Sequence, residues 1–61
     1  MTKIYVNGHG WVMGGNKEKG LKFTSHETGA KPFDLFSKEL FEVRFYIERS
    51  MKCNYDLVEA R

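Results

Sequence analysis

A small α+β domain with the element order ββαβ is the fold this sequence predicts, and three observations predict it. Apolar and polar residues alternate with a period of two in the runs between Lys3 and Ser25, beyond Pro32 the apolar spacing lengthens to about 3.6, and a short β-favouring run follows near the end. Such a pattern makes two layers: a three-stranded antiparallel sheet with one amphipathic helix packed on one face. With 61 residues, the span 1–61 is expected to form a single domain.

The first strand is read from Lys3-Ile4-Tyr5-Val6-Asn7, which alternates and is rich in β-branched and aromatic residues. Gly8-His9-Gly10 interrupts it, and a glycine inside a strand pattern marks a bulge, so the strand is expected to continue, bent, through Trp11 and Val12 to Met13. Gly14 to Gly20 combines permissive glycines with polar side chains and reads as a hairpin loop. Leu21 to Ser25 alternates again as the second strand, with Leu21 and Phe23 on one face, and Thr28-Gly29 supplies the next turn.

The helix is predicted from about Leu35 to Lys52, because Phe36, Leu40, Val43, Ile47 and Met51 fall on one stripe. Asp34 or Ser37 is placed to cap its N-terminus, and Lys52 to complement the dipole at its C-terminus. Asn54 is suited to end it in a left-handed conformation, after which Tyr55 to Ala60 reads as the third strand. Short connections place that strand beside the first, in sheet order 2-1-3.

Composition narrows the function classes. The chain is 41% hydrophobic and 30% charged, enough for a core, which excludes a disordered segment. No apolar run suits a signal peptide or a membrane span, and the lone Cys53 cannot form an internal disulfide; both point to the cytoplasm. Cys53, His9 and His26 lack the paired spacing of a zinc site, so no metal or other cofactor is expected. The formal charge of +2 is uneven: up to Lys31 there are five lysines and two glutamates, against five basic and six acidic residues in the remainder.

Catalytic residues are not apparent. Gly8-His9-Gly10 with Gly14-Gly15 matches neither phosphate-loop spacing, and neither histidine has an evident second group to work with. Cys53, at a helix C-terminus, lacks the helix N-terminal dipole that activates a thiol. A binding protein and not an enzyme is the expectation.

Two surfaces are candidates for that binding. Phe41 and Phe45 lie 120° or more from the centre of the helix stripe, so two large aromatics point away from the sheet, rimmed by Lys38, Arg44, Glu48 and Arg49. They serve either as anchors for a second copy or another protein, or as core residues covered by Phe33, the N-terminal segment or the last strand. The second surface is the hairpin with Lys17, Lys19 and Lys22 near Trp11 and Tyr5, which pairs phosphate contacts with base stacking and suits a small RNA- or DNA-binding domain.

The Gly10-Trp11 step in an interrupted first strand, followed by a lysine-bearing hairpin and one amphipathic helix, resembles small accessory proteins of T-even-like bacteriophages. Among these it is similar to the antitoxin type that acts against a host RNase toxin. The resemblance implies a host-takeover or anti-defence inhibitor that occupies a functional surface of a host or defence protein, in the host cytoplasm.

Overall fold

The computed structural model describes residues 1–16 and 18–59. It contains four strands: β1 (Thr2–Val6), β2 (Gly10–Asn16), β3 (Gly20–Thr24) and β4 (Tyr55–Glu59). They form one antiparallel sheet in the order β3-β2-β1-β4. The α+β class and the antiparallel sheet agree with the sequence reading, and the last strand does lie beside the first. The three-stranded ββαβ order does not hold, because the expected bent first strand is two strands.

The cause lies at residues 7–9. Val6 pairs with Gly10, the His9 N–H donates to the Val6 carbonyl at 3.0 Å, and Gly8 and Gly10 have φ of 85° and 108°. Residues Asn7, Gly8 and His9 therefore close a hairpin instead of a bulge. A bulge does occur further on, where the β2–β3 register shifts between Val12 and Gly14. Strands β1 and β2 pair only near this turn; beyond it the segment before the helix joins them, with Lys31 N–H donating to the Val12 carbonyl and Phe33 bonded both ways to Thr2.

Helix α1 (Lys38–Tyr46) starts three residues later than expected and continues as a π-helical turn, Ile47–Met51. Ser37 is its N-cap, its Oγ accepting from the Leu40 N–H at 3.1 Å. Asp34 closes the turn before it, accepting from the Phe36 N–H and, through its carbonyl, from the Ser37 hydroxyl. This turn throws Phe36 outward, 93% exposed, so the expected first residue of the core stripe is not a core residue. Phe33 enters the core in that part of the chain. At the other end Lys52, not Asn54, takes the left-handed position, with φ 55° and ψ 39°.

The core is the space between the sheet and the helix: Ile4, Val6 and Val12 from the strands meet Leu40, Val43 and Ile47, with Phe33 beside them. Period two on the strands and 3.6 on the helix bring these residues to one interface. The second helix face has no part in it.

Candidate functional site

That second face carries the aromatic pair. Phe41 is 65% and Phe45 50% exposed, and their rings stack with centroids 6.4 Å apart at 26°. The Arg49 guanidinium lies over the Phe45 ring, 5.1 Å from its centroid. Spacings of four residues give one ladder, Phe41 to Phe45 to Arg49, running along the helix. Beside it is a mostly apolar hollow of about 430 Å³ lined by Phe41, Glu42, Phe45, Tyr46 and Ser50.

The remaining predicted rim residues are placed differently. Arg44 turns from the ladder toward the sheet edge, its Nε–H donating to the Tyr55 hydroxyl at 3.2 Å. That hydrogen bond pushes the guanidinium pKa above its ordinary value and fixes the side chain. Lys38 is exposed at the first helical residue. Glu42, Tyr46 and Ser50 also border the ladder: the flank position of Tyr46 leaves it open in sequence to either core or interface, whereas Glu42 and Ser50 escaped the sequence reading. The four-residue spacing of the three, one position after Phe41 and Phe45, was the available signal.

The second candidate surface lies on the sheet face away from the helix. Tyr5 pairs with Trp11 across β1 and β2, and their rings meet edge to face at 5.1 Å. Trp11 is half-buried there and does not belong to the core. In register, Trp11 opposes Thr24; Lys22, two residues before Thr24, shares its face and is exposed. Lys19 sits exposed in the β2–β3 turn, and Lys17 lies outside the described residues. A 3-10 turn, Glu27–Gly29, approaches the same region, and the Lys3 ammonium donates to the Glu27 carbonyl at 3.1 Å. The aromatic pair is thus flanked by folded chain and not set in an open groove.

His9 and His26 are both exposed; His9 packs its ring on Phe23, at 5.1 Å. Neither lines the hollow by α1 nor the cleft of about 290 Å³ between α1 and the β2–β3 hairpin. That cleft is floored by Val12, Leu21 and Val43 and crossed at its edge by the Lys31–Glu39 ion pair, 2.6 Å long. Among the described residues no three His, Cys, Asp or Glu side chains come together as metal ligands, and no helix is long and apolar enough to cross a membrane.

Compared with known protein families, with curated proteins and with solved structures, the chain matches none. None of these comparisons supports the phage resemblance drawn from the Gly10-Trp11 step and the helix pattern. Both residues of that step have local work: Gly10 closes the β1–β2 turn and Trp11 packs on Tyr5.

Proposed function

We propose that the chain is a protein-binding module whose docking surface is the Phe41–Phe45–Arg49 ladder with the hollow beside it. The observation that supports this reading is the exposure of both rings on a helix whose opposite side already fills the core. Two neighbouring phenyl rings in water carry an unfavourable apolar surface, which a partner removes. Arg49, laid over Phe45, and Lys38 then act as the charged rim of an apolar anchor.

The test replaces Phe41 with a photo-crosslinking phenylalanine analogue in cells that express the chain, with the same analogue at Met13 on β2 as control. The expected result is a polypeptide adduct from position 41 that Phe45→Ser suppresses and position 13 does not yield. Adducts no stronger than the control, or insensitive to Phe45→Ser, would overturn the reading.

One observation favours a second reading: Trp11, Tyr5 and Lys22 share a sheet face, the combination that stacks on bases and contacts phosphates. Binding of generic RNA or single-stranded DNA that weakens steeply with salt, and is lost in Trp11→Ala, would support it. No binding at low salt removes it.

A further inference from the structure

We infer that the occupant of the Phe41–Phe45 ladder is a second copy of this chain, docked helix to helix, antiparallel, about a two-fold axis at Phe45. The inference rests on the protein-binding reading and names its partner. Charge complementarity along the helix favours this occupant. Between Lys38 and Lys52 there are four cations, Lys38, Arg44, Arg49 and Lys52, and three carboxylates, Glu39, Glu42 and Glu48. Flanks of mixed sign disfavour a strongly acidic or basic partner and suit a surface that must match itself.

The order of the signs selects the register. At about 1.5 Å rise per residue in α1, Glu42 lies about 4.5 Å before Phe45, and Arg49, whose guanidinium covers the Phe45 ring from the π turn, lies about one turn after it. An antiparallel two-fold at Phe45 reverses one copy, so Arg49 of one helix comes level with Glu42 and Phe41 of the other, twice over. Phe45 then packs on its own symmetry mate, and each Phe41 is capped by an arginine from the other chain.

A two-fold midway between Phe41 and Phe45 would stack the rings pairwise but leave Arg49 several ångströms from Glu42 of the other copy, without that pairing. At the chosen register the like charges are Lys38 and Lys52 at the two ends of the contact, where exposed, long side chains can diverge into water. A 61-residue domain has much to gain from such a contact, since small chains remove a smaller share of their surface from water when they fold alone.

Sedimentation equilibrium from micromolar to millimolar concentration tests this, with circular dichroism confirming that each variant is folded. The wild type should move from the 7.1 kDa monomer toward twice that mass. Phe45→Asp, which sets two carboxylates against each other on the axis, should abolish the dimer. Glu42→Arg should weaken it roughly tenfold, because two symmetry-related attractions become repulsions, and adding Arg49→Glu should restore it.

A monomer at every concentration overturns the inference, as does a dimer indifferent to Phe45→Asp or a charge swap that fails to restore. These outcomes are separable from failure of the protein-binding reading: a position-41 adduct with a different polypeptide sinks only the dimer, and no specific adduct sinks both.

Discussion

Leu40 and Phe41 are neighbours in sequence on opposite sides of α1, and their substitution should separate folding from association. Leu40 is 1% exposed, and truncating a buried leucine to alanine costs about 2–5 kcal/mol through lost transfer energy and the cavity left behind. A 61-residue chain has a total stability of roughly 3–9 kcal/mol, so Leu40→Ala should remove a large part of it or unfold the domain. Phe41 is 65% exposed, leaving about a third of its roughly 200 Å² withdrawn from water. At about 25 cal/mol per Å², Phe41→Ser then costs about 1.7 kcal/mol by area, lowered to the extent that the unfolded chain also shields that surface and raised by the lost ring contact with Phe45. Helix propensity adds little, since Phe and Ser rank together.

Urea unfolding followed by far-ultraviolet circular dichroism at low micromolar concentration gives both numbers, with an m-value of about 1 kcal/mol per M for a chain this small. Repeating it at tenfold higher concentration adds a second check. If Phe41 contacts another copy, its cost grows with concentration, whereas the cost at Leu40, read against the same wild type, does not depend on that contact. Equal losses at the two positions at low concentration would refute the division of the helix into a core side and a docking side.

Two further expectations concern the local devices that set the fold. Ser37→Ala removes the acceptor for the Leu40 N–H and should cost about 1 kcal/mol, a drop in Tm of roughly 4–8 °C in a calorimetric melt, while Ser37→Asp should retain most of it. Gly10→Ala should be worse than Gly8→Ala: both positions have left-handed φ, but a Cβ at Gly10 would stand 2.7 Å from the Thr24 carbonyl oxygen, and one at Gly8 meets nothing within 4 Å. Chemical denaturation should show about 1–2 kcal/mol lost at position 8 and more at position 10.

The parts of the fold that follow from periodicity were legible in the sequence. Leu40, Val43 and Ile47 are buried as their spacing demands, and the final strand sits beside the first. What periodicity cannot see is where an element stops. Ile4-Tyr5-Val6 and Trp11-Val12-Met13 look like one interrupted strand because each half keeps its own alternation; the Asn7-Gly8 pair, a strong hairpin signal, was the feature that separates them. Phe36 fits the helical stripe by number, yet capping by Ser37 leaves it in a turn, where the stripe has no meaning. Lys52 adopts a left-handed φ because the helix ends in a wider π turn, with the Lys52 and Cys53 N–H groups both returning to the Ile47 carbonyl. For the site, the outward direction of Phe41 and Phe45 was readable at 100° per residue, while the turning of Arg44 toward Tyr55 was not, since it depends on a strand distant in sequence.

The core also explains why the aromatic ladder is available at all. Three strand residues and three helix residues, with Phe33, complete the contact between the layers, and Leu21, Phe23, Met51, Cys53 and Tyr55 close its margins. With that contact complete, Phe41 and Phe45 add little to holding the helix on the sheet, and serine at either position would keep the helix propensity without the apolar exposure. Their rings are nevertheless held in order, stacked on each other and covered at one end by Arg49, so that docking would cost little side-chain entropy. A pre-ordered apolar strip on a helix that is already anchored from behind is what an association surface requires, and the fold supplies no other use for it among the described residues.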